Sequence, residues 1–202
     1  MGKVAVVDYG IGNLGSATNA FRSLGIEAYT ATTPLEIGDP ELVVVPGVGS
    51  FGACIHEFRD RGFVEPVVER IESNAAVLGI CVGMQMLFEG SEESPGVPGL
   101  GIFAGQVAKM SHQRLPEMQW NQLELVDHPC LKSLPRHPWM YFVHSFSVVD
   151  SEAAIAWEEF GGRYVAAVAR GNLIGVQFHP EKSSHGGLSL LHRVAELAGA
   201  VA

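Results

Sequence analysis

Basic residues are scarce in this sequence. The 202 residues include 13 Lys and Arg against 22 Asp and Glu, which gives a formal net charge of −9 at pH 7. A chain of this charge repels nucleic-acid phosphates and anionic membrane surfaces. No basic stripe with interleaved aromatic residues is present, so we expect no nucleic-acid partner.

Cysteines and long apolar runs are also few. Cys54, Cys81 and Cys130 are odd in number and widely spaced, which argues against a disulfide framework and favours a reducing cytoplasm. The short apolar run at the N-terminus is interrupted by Asp8, unlike a signal peptide. The most apolar stretch, AAVLGICVGMQMLF, contains Gln85 and is too short to span a bilayer. We therefore expect a cytoplasmic chain that does not enter a membrane.

The pattern of the apolar residues, 47% of the chain, changes along its length. In the first half, the strand-like segments KVAVV, IEAYT, LVVVP and AAVLGI alternate with helical segments, which predicts a largely parallel sheet with helices on both faces. The second half contains the β-rich segments IFAGQVAKM, QLELVD, WMYFVHSFSVV, AAIAWEE, YVAAVAR and LIGVQFH. These predict antiparallel strands that extend the sheet, followed by a final helix, LSLLHRVAELAG. No linker is evident, so we expect a single α/β domain over residues 1–202.

The stretch GIGNLG places Gly10, Gly12 and Gly15 in a G-x-G-x-x-G pattern. A dinucleotide site of this kind needs an acidic residue at the end of the second strand, and here that strand ends in TATT. The carboxylate of Asp8 would also crowd a pyrophosphate. A tight strand-to-helix turn is the better interpretation, and we expect no dinucleotide and no other cofactor.

The strongest local signal is VLGICVGMQ. Gly79 and Gly83 flank Cys81 in a G-x-C-x-G pattern, with an apolar strand before it and a helical pattern after it. This is the thiol version of the nucleophile elbow, in which glycines remove side chains that would collide around a strained turn. The helix N-terminus would favour the thiolate, and the Val82 amide would point at a developing oxyanion. A lone buried cysteine is usually structural, but this setting predicts a nucleophile.

A nucleophilic cysteine needs a base, and the base needs a residue that orients it. In VQFHPEKS, His179 and Glu181 project from the same face if the chain is extended. A surface His beside a surface Glu explains this pair alone equally well. His144 in YFVHSFS is the rival base, but no acid lies near it in the sequence. No H-x-x-x-H or clustered Cys and His spacing predicts a metal site.

The apolar strand in VVVPGVGSFGA breaks at Pro46 into Gly47 and Gly49. Such a loop can present backbone N–H groups as the second half of an oxyanion hole. An ordinary glycine-rich turn explains the same residues at least as well.

Taken together, GICVGMQ, FHPEKS and PGVGSFG resemble the class I, triad-type glutamine amidotransferases. The resemblance covers essentially the whole chain, and DYGIGNLGS, MQWN and YFVHSFS are similar to the glutaminase subunits of imidazole glycerol phosphate synthase. It implies the class I amidotransferase fold and hydrolysis of L-glutamine to glutamate and ammonia. The ammonia would pass to a synthase subunit that forms imidazole glycerol phosphate and AICAR in histidine biosynthesis.

The resemblance also implies roles for individual residues. Cys81 would attack the glutamine amide to form a thioester, His179 would transfer the proton, and Glu181 would orient His179. The oxyanion would be held by the backbone of Gly47, Val48, Gly49 and Val82. Glutamine would be held by Gln85, Glu93, His144, Ser145 and Phe146. The synthase would be contacted by Asn13, Ser16, Met118, Trp120, Asn121 and Lys182.

The chain departs from the family pattern in three places. Families of this type usually show PHMGWN, whereas PEMQWN here places Glu117 and Gln119 at the His and Gly positions, which are expected to border the partner. Phe146 stands where Tyr is usual.

A synthase barrel of the (β/α)8 type needs about 250 residues of its own. We therefore expect a heterodimer with a separate (β/α)8 cyclase/synthase subunit, in which ammonia passes directly to the barrel. Another amidotransferase subunit, a cysteine hydrolase and a non-enzymatic binding module are the alternatives that the residues leave open.

Overall fold

Parallel strands form the centre of a large sheet. In the computed structural model, which describes residues 2–201, β1 (Lys3–Val7), β2 (Glu27–Ala31), β3 (Leu42–Gly47) and β4 (Ala76–Cys81) are parallel, and β13 (Leu173–Val176) joins them beside β4. The order across this part is β2-β1-β3-β4-β13. All residues of β3 and β4 are buried, as expected for strands covered on both faces.

The helices follow the predicted alternation. They are α1 (Leu14–Ser23), α2 (Pro34–Ile37), α3 (Phe51–Asp60), α4 (Val64–Glu72), α5 (Val82–Gln85) and α6 (Ser184–Leu197). Gly25 follows α1 with a φ of +76°, the left-handed conformation in which a glycine commonly ends a helix. The Ser50 side chain caps α3 by accepting a hydrogen bond from the Ala53 amide. Helix α2 was not predicted, and α6 begins at Ser184, ahead of the predicted LSLLHRVAELAG.

The predicted antiparallel extension is present beyond β13. Strand β12 (Arg163–Arg170) is antiparallel to β13, β11 (Ala154–Glu159) and β10 (Phe146–Val148). β10 is antiparallel to β6 (Gln106–Lys109), which is parallel to β5 (Gly90–Ser91), and β11 is antiparallel to β8 (Glu124–Leu125).

One predicted segment is divided between two sheets. WMYFVHSFSVV forms β9 (Trp139–His144) and then β10, with Ser145 between them. β9 pairs with β7 (Glu117–Gln122) in a separate two-stranded sheet, whereas β10 belongs to the large sheet. The expectation that all these segments extend one sheet is therefore wrong for β9, because the apolar pattern does not encode which strand a segment pairs with. Its partner β7 was not predicted as a strand.

The strand predicted from LIGVQFH ends at Val176. The chain then leaves the large sheet and reaches the small one, where the His179 amide donates to the Tyr141 carbonyl oxygen. The carboxyl ends of β3, β4 and β13 lie at the same edge of the sheet, which is where parallel α/β sheets place their sites. Cys81 ends β4, and the segments that follow β3 and β13 carry Gly49 and His179. No helix within residues 2–201 is long and apolar enough to cross a membrane.

Candidate active site

A cavity of about 430 Å³ opens at the carboxyl ends of the central strands. It contains the predicted nucleophile, Cys81, and the predicted base, His179. Its lining residues are Gly12, Asn13, Val48, Gly49, Cys81, Val82, Gln85, Glu93, Val143, His144, Ser145, Phe146, His179 and Lys182.

Cys81 occupies a strained turn between β4 and α5. Its φ is +56° and its ψ is −113°, a conformation that residues with a side chain rarely adopt. A Cβ on Gly79 would lie 2.8 Å from the Gly83 carbonyl oxygen, and a Cβ on Gly83 would overlap the Val45 carbonyl oxygen. Gly79 is therefore required for the elbow to form, and Gly83 is required for the elbow to pack against β3.

The helix after Cys81 is shorter than the sequence pattern predicts. α5 ends at Gln85, and the carbonyl oxygens of Met86, Leu87 and Phe88 accept hydrogen bonds from the loop at residues 100–103. Those acceptors are therefore unavailable to continue the helix. The predicted support of a thiolate by the helix N-terminus is correspondingly weak, because α5 has only 4 residues.

His179 contacts Glu181 as predicted, but through a different backbone geometry. The distance from His179 Nδ1 to Glu181 Oε1 is 2.9 Å, and each side chain is 2% exposed. The chain is not extended here, because Pro180–Lys182 form a 3-10 turn. Ser183 stabilises the turn by donating from Oγ to the His179 carbonyl oxygen.

The environment of His179 favours its protonated form. Burial alone would lower the pKa of His179, but its interactions with Cys81 and Glu181 raise the pKa to about 10. Nε2 has no hydrogen-bonded oxygen or nitrogen partner among residues 2–201. A cationic imidazole beside the sulfur stabilises a thiolate, as in other cysteine nucleophiles activated by histidine.

Gln177 is a site residue that the sequence reasoning missed. It is fully buried, and its Nε2 lies 3.7 Å from Cys81 Sγ. Its Oε1 accepts a hydrogen bond from Gln85 Nε2 at 3.0 Å. A glutamine inside the otherwise apolar run LIGVQFH was the available signal, because a buried amide must find polar partners.

The predicted oxyanion residues occupy two layers. Val48, Gly49 and Val82 line the cavity, whereas Gly47 ends β3 behind it. A Cβ on Gly47 would lie 2.6 Å from the Gly83 nitrogen, so the absence of a side chain at Gly47 leaves room for the elbow.

The Val48 carbonyl oxygen accepts a hydrogen bond from the buried Cys54 thiol at 3.3 Å. Since a trans peptide holds its C=O and N–H in opposite directions, the Gly49 N–H points away from Cys54.

All five residues assigned to glutamine binding line the cavity. The Phe146 carbonyl oxygen accepts from Gln85 Nε2 at 2.9 Å and lies 3.0 Å from His144 Nδ1. Glu93 accepts from the Phe51 amide at 2.7 Å, which fixes its carboxylate at the start of α3. These contacts hold the cavity wall in place, and Ser145 lies in the bend between β9 and β10.

The residues assigned to the partner surface differ in their surroundings. Asn13 and Lys182 line the cavity, and Ser16 is partly exposed on α1. Met118 is 63% exposed and Trp120 is 43% exposed on β7. The Asn121 amide instead makes internal hydrogen bonds, to Glu117 Oε1, Glu158 Oε2 and the Glu159 carbonyl oxygen.

Glu117 does not border a surface as expected. It is fully buried, and its carboxylate faces His144 and the buried Glu158. Glu117 is buried although the following residues of β7 are mostly exposed, because His144 at the end of β9 and Glu158 on β11 cover its carboxylate. Gln119 is exposed, and its Nε2 donates to Glu117 Oε1 at 3.3 Å.

The other two cysteines are buried thiols. Burial raises the pKa of Cys54 to about 11 and that of Cys130 to about 12, so both remain protonated at neutral pH. A structural role is the interpretation that fits both of them.

The G-x-G-x-x-G segment forms a tight turn. Gly10 has a φ of +85°, and its amide donates to Asp8 Oδ1 at 2.8 Å. The carboxylate of Asp8 thus accepts the hydrogen bond that the Gly10 amide would otherwise donate to an anionic ligand, in agreement with the turn interpretation.

Comparison with known proteins gives consistent matches. A family model described as glutamine amidotransferase class-I matches residues 5–194. Curated relatives named imidazole glycerol phosphate synthase subunit HisH include one from Symbiobacterium thermophilum, 40% identical over 95% of this chain and 92% of the relative. Another, from Deinococcus radiodurans, is 42% identical over 94% of this chain and 91% of the relative.

Solved structures share the fold. A crystal structure described as glutamine amidotransferase has a TM-score of 0.77 at 25% identity and covers 97% of this chain and 98% of its own. A structure of PurLQS from Thermotoga maritima has a TM-score of 0.77 at 17% identity, with 98% of this chain and 99% of its own covered.

Proposed function

Because the chain belongs to the class I glutamine amidotransferase family, we propose that its cavity hydrolyses L-glutamine through Cys81, His179 and Glu181. The chain is the glutaminase subunit of imidazole glycerol phosphate synthase and supplies ammonia for histidine biosynthesis. The observation that carries the catalytic assignment is the strained Cys81 in the same cavity as the hydrogen-bonded His179 and Glu181.

The first half of the reaction forms a thioester. The Cys81 sulfur attacks the side-chain amide carbon of glutamine, and the carbonyl oxygen becomes an oxyanion. We assign the stabilisation of this charge to the backbone N–H groups of Val82 and Gly49, because both residues line the cavity. The tetrahedral intermediate expels ammonia, and His179 donates the proton that the leaving nitrogen requires.

The second half hydrolyses the thioester. Neutral His179 accepts a proton from a water molecule, which attacks the acyl carbon and releases glutamate and the Cys81 thiolate. Glu181 holds Nδ1 of the imidazole throughout, so Nε2 remains available for both proton transfers. Gln177 fixes the position of the sulfur between turnovers.

Glutamine is recognised by the rest of the cavity wall. We assign the Glu93 carboxylate to the α-ammonium group of glutamine, because it is the acidic side chain that lines the cavity. Gln85, His144, Ser145 and Phe146 complete the wall. Gln85 and His144 act mainly by holding the Phe146 carbonyl oxygen.

A synthase subunit consumes the ammonia. We propose a (β/α)8 barrel docked over the cavity mouth, with Asn13, Ser16, Lys182, Met118 and Trp120 in the interface and Asn121 supporting it from within. Asn13 and Lys182 lie at the cavity itself, so a partner seated there receives ammonia without its release into water. A reducing cytoplasm suits three free cysteines.

Glutamate release from glutamine, measured with and without the synthase subunit, tests the proposal. Cys81→Ala is expected to abolish turnover, and His179→Ala to reduce it by roughly 10²–10⁴-fold, the usual contribution of a general acid-base group. Cys130→Ala is the matched control and is expected to retain activity, because Cys130 is a buried free cysteine that does not line the cavity. Full activity in Cys81→Ala would contradict the proposal. Full activity in His179→Ala would assign the base to His144.

A further inference from the structure

We propose that Glu117, His144 and Glu158 form a binding site for a divalent transition-metal ion, with Zn²⁺ as the preferred ion. The three residues come from β7, the end of β9 and β11, so they lie where the small sheet meets the large one. His144 also lines the glutamine cavity. The site lies behind the cavity wall, and the proposed ion takes no part in the chemistry of Cys81 and His179.

Three polar atoms converge at this point without partners. Glu117 Oε2, His144 Nε2 and Glu158 Oε1 are buried and have no hydrogen bond to any of residues 2–201. Nε2 lies 3.5 Å from Glu117 Oε2 and 3.2 Å from Glu158 Oε1. The ligand atoms of the three residues all lie within 4.8 Å of one another. Buried polar atoms are almost always hydrogen-bonded, so three unpartnered atoms facing one point require an explanation.

The remaining polar atoms of the same side chains are held in place. His144 Nδ1 lies 3.0 Å from the Phe146 carbonyl oxygen, an acceptor that fixes the hydrogen on Nδ1 and leaves a lone pair on Nε2. Asn121 Nδ2 donates to Glu117 Oε1 at 3.3 Å and to Glu158 Oε2 at 3.2 Å. Metal-binding histidines and carboxylates are oriented by outer hydrogen bonds of this kind.

The two buried carboxyl groups have no cationic Lys or Arg beside them within residues 2–201. Two carboxylates with fully buried side chains face a nitrogen lone pair, and among the described residues no Lys or Arg forms an ion pair with either of them. A divalent cation would neutralise both carboxylates and use the lone pair of His144.

The donor atoms and their spacing favour zinc. One imidazole nitrogen and two carboxylate oxygens suit Zn²⁺ better than Mg²⁺ or Ca²⁺, which prefer oxygen alone. Zinc bonds of about 2.0–2.1 Å in a tetrahedron place neighbouring ligand atoms roughly 3.3–3.5 Å apart. The observed 3.2 and 3.5 Å match this spacing. Three protein ligands leave the fourth position for water.

The proposed ion has a structural role. It would tie β7 and β9 to β11 and fix His144, which in turn positions the Phe146 carbonyl oxygen at the cavity. Local sequence patterns did not reveal the site, because its ligands are far apart in the chain and meet only through the pairing of β7 with β9 and the packing of β11 beside them.

Metal binding by the full chain tests the proposal. Protein stripped with EDTA and dialysed is titrated with Co²⁺ while its visible absorption is recorded, and the bound Co²⁺ is then displaced with Zn²⁺. We expect one equivalent of Co²⁺ to produce intense visible bands of a site with four or five ligands, and one equivalent of Zn²⁺ to remove them. Glu117→Gln and Glu158→Gln are each expected to weaken Co²⁺ binding at least roughly 100-fold. The control Glu124→Gln, an exposed carboxylate on β8, should leave binding unchanged.

Two results would overturn the proposal. One is the absence of saturable one-equivalent binding in the unaltered chain. The other is binding of equal strength in Glu117→Gln and Glu158→Gln, which would place the ion elsewhere. If the glutamine variants fail to fold, Asn121→Ala keeps all three ligands and is expected to weaken Co²⁺ binding roughly 10-fold, the scale of an outer hydrogen bond.

Infrared spectroscopy of the same samples distinguishes an ion from a shared proton. A buried protonated carboxyl group that persists at neutral pH after Zn²⁺ addition would show that a proton occupies the cluster and would overturn the proposal. Loss of that band on addition of one equivalent of Zn²⁺ supports it.

Discussion

At the scale of single residues, Cys81 combines reactivity with an unfavourable backbone. Its positive φ places the sulfur at the cavity, where Gln177 contacts it and His179 lines the same cavity. Conformations of this kind cost of order 1–3 kcal/mol and persist only when the surrounding structure enforces them. Here the backbone of β3 packs directly against Gly83 of the elbow, and this packing holds Cys81 in its conformation.

Replacing Cys81 by glycine tests this strain. We expect the free energy of unfolding of Cys81→Gly to be about 1 kcal/mol higher than that of Cys81→Ala, because glycine adopts a positive φ without strain. The entropy that glycine loses on folding offsets part of the gain. Urea unfolding of both variants measures the difference, and equal or lower stability of Cys81→Gly would show that the turn is not strained.

At the scale of elements, the approach of α5 to β3 determines the geometry of the site. Gly83 touches the backbone of β3 with no space for a side chain, whereas a Cβ on Gly15, at the start of α1, would meet nothing within 4 Å outside its own helix. Replacement of glycine by alanine is therefore expected to change the stability of the fold in opposite directions at Gly83 and Gly15.

We expect Gly83→Ala to destabilise the fold by about 3 kcal/mol, because the new methyl group must displace β3 or the elbow. Gly15→Ala should stabilise it by about 0.5–1 kcal/mol, because alanine is a better helix former than glycine. Thermal and urea unfolding of the two variants give the comparison. Similar changes in stability in the two variants would mean that the elbow does not pack closely against β3.

The sequence predicts those features that depend on neighbouring residues. The strands β1 to β4, the glycine-flanked Cys81 and the contact between His179 and Glu181 all follow from local patterns. The break at Ser145, the short α5 and the role of Gln177 do not, because each depends on a partner distant in the chain. Glu117 illustrates the limit most clearly: its neighbours suggest a surface strand, and only the packing of β7 over β11 shows that it is buried.

At the scale of the whole molecule, the proposed docking surface for the synthase subunit consists of the cavity mouth and the exposed face of the small sheet. Met118 and Trp120 project from β7 and expose a large part of their apolar surface. A single domain over residues 1–202 remains a prediction, supported by a buried core that includes residues from both halves of the chain.

Trp120→Ala is expected to weaken binding of the synthase subunit by roughly 10–100-fold, as for a central aromatic interface residue, with little change in stability. Leu35→Ala is the control, because Leu35 is 94% exposed on α2, away from β7. Calorimetric titration with the synthase subunit gives both affinities. Equal affinities for the two variants would place the interface elsewhere.

The most direct test of the central claim is to trap the thioester. The chain, in complex with the synthase subunit, is mixed with glutamine, quenched with acid during turnover and digested for mass spectrometry. The account predicts one glutamyl group on the peptide that contains Cys81, which is lost on treatment with hydroxylamine and absent from Cys81→Ala. A glutamyl group on another residue, or turnover of glutamine by Cys81→Ala at the unaltered rate, would contradict it.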